Sequence, residues 1–373
     1  SDGTTKYASI NSDGYIKIYH DDGSDEIIAR YSQLKGGAIN SNSSSININN
    51  TKFKGNAVAL DSQSNEEMAT YSGLGGALSA NGKVTVTNSE FTGNKVSVKY
   101  TENYDYISEN GSRDQDIYNG EVGTGGAINN TGELTVTGSK FTQNSAAYGG
   151  AINNIGITVI KDSEFNNNIS NSLVTGKTIF TYNDNEHTKD VTWHNGFGGA
   201  VRSEGDITIE DSKYNDNIAA EMGGAVYISG DNITATVKNS IFNNNVAKSK
   251  HDEGFFSVNE QGEVIYNDES RFDGYGGAIA IDGWNKSKLF IENSEFNKNI
   301  AGDAGGGAIA TFTNTEINNT KFNANEAELG GAIRVIGGEP DSILTLNNSL
   351  FDGNKATSNG GAVNTGGDVN ITD

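Results

Sequence analysis

The sequence predicts an all-β chain, a parallel β-helix of about ten coils with an N-terminal β cap and inserted hairpins, on three observations. Gly-Gly-Ala occurs ten times, starting at Gly36, Gly75, Gly125, Gly149, Gly198, Gly223, Gly276, Gly306, Gly330 and Gly360. An aromatic-x-x-Asn signature answers nine of these copies: Phe53/Asn56, Phe91/Asn94, Phe141/Asn144, Phe165/Asn168, Tyr214/Asn217, Phe242/Asn245, Phe296/Asn299, Phe322/Asn325 and Phe351/Asn354. Between the two motifs, aliphatic pairs such as Ile46/Ile48, Val84/Val86 and Leu344/Leu346 keep the period of two of a half-buried strand. Repetition of this kind marks a solenoid, because one such unit cannot bury its apolar face alone.

Each coil opens on Gly-Gly-Ala, and the next slot is always aliphatic, from Ile39 to Val363, which places it inward. Strict alternation would then expose the Ala, whereas its recurrence points to a bend that packs it; the sequence leaves both open. The glycines suit a positive φ or a close approach between coils, and ten identical copies need no phosphate-binding role to explain them. The aliphatic-pair strand follows, weakened in two units to Thr158/Ile160 and Thr315/Ile317. A Ser or Thr stands two residues before every aromatic, from Thr51 to Ser349. From Gly-Gly-Ala to the aromatic is 16 residues in five units, and the shortest return is 8, so a minimal coil has 24 residues. That is room for three short strands and three bends. Coils stacked roughly 4.8 Å apart set Phe over Phe in the core and Asn over Asn at a corner.

Residues 1–35 lack the repeat but carry alternating runs at Tyr15 to Tyr19 and Glu26 to Tyr31, expected to be strands covering the first coil. Residues 36–373 form the solenoid. An aromatic for the tenth Gly-Gly-Ala would fall past Asp373, so the native chain is expected to continue. Returns from aromatic to Gly-Gly-Ala swell to 34, 33 and 34 residues after Phe91, Phe165 and Phe242. Insertions at about 95–124, 169–197 and 246–275 therefore leave one corner on alternate coils, close enough to pack together. Thr178 to Tyr182 followed by Val191 to His194, and Phe255 to Val258 followed by Val264 to Tyr266, read as hairpins. The insertions are rich in aromatics, and insertions on one face of a repeat protein commonly form its binding surface.

The formal charge of −22 is spread along the chain, with no basic stripe for nucleic acid. There is no cysteine, hence no disulfide framework or thiolate chemistry. No run approaches the roughly 18 apolar residues of a membrane span, so no membrane insertion by this segment is expected. Polysaccharide-cleaving enzymes also use parallel β-helices, but their sites need clustered carboxylates with basic residues or calcium. Only five arginines occur, the Asp21-Asp22 pair lies outside the coils, and Asp114, Asp116, Asp184, Glu186, Asp268 and Glu269 read mainly as solvated loop charges. His187 and His194, with Asp184, Glu186 and Asp190 nearby, match no trusted ligand spacing. A calcium loop at Asp114-x-Asp116 or Asn183 to Glu186 is only weakly signalled. The outward threonines Thr85, Thr135, Thr208, Thr236 and Thr345 follow strand preference. Neither catalysis nor a cofactor or metal is expected.

Gly-Gly-Ala-(Ile/Leu/Val) paired with Phe-x-x-Asn resembles the repeat of the chlamydial polymorphic membrane proteins and related bacterial adhesin passengers. The resemblance runs from residue 36 to the last residue, although this chain lacks cysteine and any barrel. It implies a right-handed β-helix, displayed on the cell surface by a C-terminal translocating barrel and used for attachment to host or neighbouring cells. The expected function is that of a monomeric adhesin passenger binding a cell-surface protein or glycan. The residues expected to touch the ligand are Tyr104, Tyr106, Tyr118, Phe180, Tyr182, Trp193, Phe255, Phe256 and Tyr266. The alternatives are a passive β-helical stalk and a polysaccharide lyase or hydrolase.

Overall fold

The computed structural model describes residues 5–10, 15–20, 25–30, 32–60, 71–107, 113–252, 254–259, 261–269, 271–284, 286–337 and 342–373. Every regular element among them is a β-strand. Ten parallel strands, from Ile39–Ser41 to Val363–Thr365, form the sheet that follows Gly-Gly-Ala. Ten more, from Ser45–Asn49 to Val369–Thr372, carry the aliphatic pairs, and nine, from Lys52–Lys54 to Leu350–Asp352, carry the aromatics. A fourth sheet collects the short strands that return to the next Gly-Gly-Ala, such as Ser145–Ala146 and Ile169–Ser170. The chain is a parallel β-helix.

The register sets like on like. Phe91 lies between Phe53 and Phe141 in the ladder, and ring centroids there are 4.8 Å apart. From Asn94 to Asn325 each amide of the Asn column is buried, and both its oxygen and its nitrogen are hydrogen-bonded. Asn168 Oδ1 accepts from the backbone N–H and from Nδ2 of Asn144, both at 3.0 Å. Its own Nδ2 donates to Phe141 O and to Asn217 Oδ1. The Ser/Thr column turns the corner before the aromatic: Ser139 donates its hydroxyl to Thr137 O at 2.9 Å and accepts the Ser89 N–H at 3.1 Å. These partners are the physical reason for both slots, since a buried amide or hydroxyl without them would be destabilising.

Gly-Gly-Ala divides its labour. The first glycine holds φ near +60°, as in Gly198 at +67°. A Cβ on the second would strike the backbone of the next coil; on Gly199 it would stand 2.0 Å from Gly224 O. From Ala77 to Ala332 the Ala side chain is fully buried, which settles the question the sequence leaves open. The bend that buries it lets the N–H groups of Ala200 and Val201 both donate to Ala225 O, at 2.9 and 3.0 Å. Thr158, which weakens one aliphatic pair, still points inward; its hydroxyl lies 2.8 Å from that of Ser203 and accepts from Asn154 Nδ2 at 2.9 Å.

Outside, the aromatic sheet carries Lys52, Glu90, Lys140 and Glu164 in register. Lys52 meets Glu90 at 2.9 Å and Lys140 meets Glu164 at 3.6 Å. Such exposed pairs add little energy. They do penalise a slip of one coil, which would set like charges opposite each other. At the N-terminal end, Thr5–Ile10, Tyr15–His20 and Asp25–Arg30 form a three-stranded antiparallel sheet, and Ser32–Lys35 pairs in parallel with Tyr71–Leu74.

Candidate interaction surface

All three long insertions are hairpins, and they merge. The first consists of Lys95–Ile107 and Arg113–Val122, the second of Ser172–Tyr182 and Asn185–Asn195. Arg113–Val122 pairs antiparallel with Ser172–Tyr182, so the two hairpins make one four-stranded sheet continuous with the fourth sheet of the solenoid. The third insertion starts and ends in a short pair, Ser249–His251 with Arg271–Asp273, and bears the hairpin Gly254–Val258 with Val264–Asp268. It is tied to the second hairpin by Thr192 and Asp252, whose backbones exchange hydrogen bonds of 2.9 and 2.7 Å.

One expected pairing is corrected. Thr178 to Tyr182 lies opposite Asn185 to Lys189, not Val191 to His194, which faces Leu173 to Gly176. The turn is Asn183-Asp184, with φ of +49° and +62°, a two-residue hairpin connection that needs left-handed residues. The third hairpin pairs as expected, Phe256 with Tyr266 and Val258 with Val264.

Alternation within these strands sorts the candidate residues onto faces. Tyr118, Phe180, Tyr182 and Trp193 share one face, which the third hairpin covers. The Phe256 ring is 6.0 Å from that of Phe180 and 5.0 Å from that of Tyr266, and the Lys189 ammonium lies 5.1 Å from the Tyr266 ring. Phe180 is buried, while Tyr118, Tyr182, Trp193, Phe256 and Tyr266 are half-buried. Phe255, on the outer side of the third hairpin, is 51% exposed. Tyr104 and Tyr106 take register positions opposite Asp116 and Asp114.

Several aromatics have a structural task that composition conceals. Tyr100 lies over Gly120 and Tyr118 over Gly176: a Cβ on either glycine would meet the opposing ring within 2.7 Å. Trp193 then meets Tyr118 edge-on at 4.8 Å. A ring laid across a cross-strand glycine replaces the packing that the glycine lacks.

The uncovered face of the four-stranded sheet is aliphatic and threonine-rich. Ile117 and Leu173 are 39% and 47% exposed, beside a shallow depression bounded by Asn119, Thr175, Lys177, Ile179 and Asp190. The surface continues onto the solenoid, where Ile169, Ile218, Val246 and Ile300 stack in register on its outer side. Sequence reasoning passed over these residues. Their signal was the aliphatic residue that follows the Asn in Asn168-Ile169, Asn217-Ile218, Asn245-Val246 and Asn299-Ile300.

His187 and His194 are seven residues apart on one strand and so point to opposite faces. His187 lies by Phe256, while His194 Nδ1 is 2.8 Å from Asn171 Oδ1. Burial, and then nearby His251, hold the His194 imidazole below its ordinary pKa. Burial, and then the Asp116 carboxylate two residues on, raise that of Asp114. No group of three or more acidic, His or Cys side chains among the described residues is placed to hold a metal ion. Asp21 and Asp22 lie outside the described residues.

The repeat itself decides the comparison with known proteins. Residues 348–366 match the Chlamydia polymorphic membrane protein repeat. The matched segment holds Phe351, Asn354 and the Gly-Gly-Ala at Gly360, the same elements that recur in register through the solenoid. No curated protein and no solved structure matches the chain. The similarity covers one coil, while the hairpins are features read from this chain alone.

Proposed function

We propose that the chain is a monomeric passenger of a surface-displayed adhesin, and that its hairpin sheet contacts a protein or glycan on a host or neighbouring cell. The observation that carries this reading is the convergence of three insertions, from alternate coils, into one antiparallel assembly beside the solenoid. A stalk needs only the 24-residue coil; here the three long returns hold 26, 25 and 26 residues beyond the shortest one, spent on a platform that the coil does not require. The repeat supports display at the cell surface. The covered aromatics stiffen the platform, and Phe255 with the bare Ile117 and Leu173 face offers the accessible apolar area. Exposed apolar area of this kind is typical of interaction sites.

The test exploits the short corner of the chain itself, where Asn144 leads through Ser145, Ala146, Ala147 and Tyr148 to Gly149. Replacing residues 95–124, 169–197 and 246–275 each by Ser-Ala-Ala-Tyr should leave a folded solenoid that no longer attaches to cells. Undiminished attachment of that shortened chain would overturn the reading. Probing a glycan and protein array with the intact chain would identify the ligand.

A further inference from the structure

The following inference rests on the reading of the hairpin sheet as the contact region and names what it takes. We propose that the outer edge of strand Asn185–Asn195 is a strand-addition site for an extended, basic peptide segment of a partner protein. Thr192 exchanges both backbone hydrogen bonds with Asp252, so its N–H and C=O point away from Ser172–Tyr182. In an antiparallel strand, alternate residues share that direction. Glu186, Thr188 and Asp190 therefore turn their backbone groups to the same open side. Among the described residues, Asn185–Asn195 makes a backbone pair on that side only at Thr192, with His194 O met by His251 Nε2. The third hairpin lies against the face that carries His187 and Lys189, while Glu186, Thr188 and Asp190 stay exposed. The Thr192–Asp252 pair is the first rung of a ladder that an incoming strand would extend.

The edge has none of the usual protection by proline or a bulge. Glu186, Thr188 and Asp190 are all exposed, and their side chains share the uncovered face. Lys177 stands opposite Asp190 in the neighbouring strand, so Glu186 is the less compensated carboxylate. Across an antiparallel pair these positions favour lysine or arginine, and the charge of −22 favours approach of a basic segment. Main-chain bonding would supply affinity and the alternating side chains selectivity.

The experiment uses the intact chain and a synthetic peptide alternating lysine and threonine, with a glutamate–threonine peptide as its counterpart. The basic peptide should slow hydrogen exchange at the amides of Glu186, Thr188 and Asp190 by at least about tenfold, the signature of a bound state favoured tenfold over the free one. Thr188→Pro removes an N–H that the hairpin does not use, so it should abolish that protection while His187 and Val191, which bond inward, stay protected. Glu186→Lys with Asp190→Lys should transfer the preference to the acidic peptide. Protection that survives Thr188→Pro, absence of protection at these amides, or an unchanged preference after charge reversal would overturn the proposal. If attachment is lost on hairpin removal but retained by Thr188→Pro, only the edge proposal falls; if it survives hairpin removal, the reading of the hairpin sheet falls.

Discussion

The Tyr214 ring lies 4.8 Å from that of Phe165 and within 2° of parallel to it, yet Tyr214 carries a buried hydroxyl that has no hydrogen-bond partner. Every other member of the column is phenylalanine. The ring packs as its neighbours do, so the hydroxyl contributes only its desolvation. Tyr214→Phe should therefore stabilise the chain by about 1–2 kcal/mol. Denaturant unfolding would show the midpoint rising; a lower midpoint would mean that the hydroxyl finds a partner.

Alkaline stability offers a second measurement. Burial, and then the carboxylate of Asp282, push the Tyr227 hydroxyl up to about 12. The unfolded chain loses this proton from about pH 10, while the folded chain retains it. Between those values the unfolded state binds fewer protons, so stability must fall as pH rises. Tyr227→Phe should lose less stability than the parent between about pH 9 and about pH 11. Equal losses in the two proteins would refute the assignment to this group.

The two asparagine columns should respond very differently to truncation. Asn217 is fully buried and makes four hydrogen bonds, accepting from Asn168 N and Nδ2 and donating to Phe165 O and Asn245 Oδ1. Asn217→Ala strands several buried partners and should destabilise by at least about 3 kcal/mol. Asn243 belongs to the half-buried outer column, bonding Asn215 at 2.9 Å. Asn243→Ala should change stability by less than about 1 kcal/mol. Similar losses at the two sites would show that the corner ladder is not the stronger element.

Glycines that look alike in sequence should also separate. Gly199→Ala would drive a Cβ to 2.0 Å from Gly224 O. That obstacle is backbone and cannot swing aside, so the coils must part, at a loss of more than about 3 kcal/mol. Gly93 has φ +62° but open space where a side chain would go. Gln143, Lys298 and Ala324 hold the corresponding slot at φ of 55°, 53° and 52°, so Gly93→Ala should lose no more than about 1–2 kcal/mol. Thermal unfolding of the two variants side by side gives the comparison.

This contrast also explains what could be read in advance. The coil was legible because each constraint repeats: the notch at Gly199, the amide at Asn217 and the ring at Phe165 recur in identical surroundings, and recurrence separates requirement from accident. The hairpins occur once each. Their aromatic richness was visible, but which face Phe180 takes depends on where the third hairpin lands, and no local pattern encodes that. The support that Tyr118 gives the sheet was not legible, because its partner, Gly176, is distant in sequence and silent by itself. The aliphatic file from Ile169 to Ile300 was hidden by its ordinariness, a single Ile or Val beside an asparagine that drew the attention.

The hairpin sheet should open without the solenoid. Tyr118 covers Gly176 and meets Trp193 edge-on, so Tyr118→Ala exposes backbone between the first and second hairpins and removes an aromatic pair of about 0.5–1.5 kcal/mol. In a stacked repeat each coil contacts its neighbours, and its stability is set locally. The amides linking Arg113–Val122 to Ser172–Tyr182 should therefore exchange several-fold faster in Tyr118→Ala, while those of the buried ladder around Val136 and Ile160 keep their parent rates. Phe255→Ala, by contrast, removes an exposed ring and should leave exchange unchanged in both regions. If Tyr118→Ala loosened the solenoid ladder as much as the hairpins, the two would be one cooperative unit. Attachment measured on these same two variants then separates support from contact: loss with Phe255→Ala alone marks a residue that touches the ligand, whereas loss with Tyr118→Ala alone marks a platform that must stay rigid to bind.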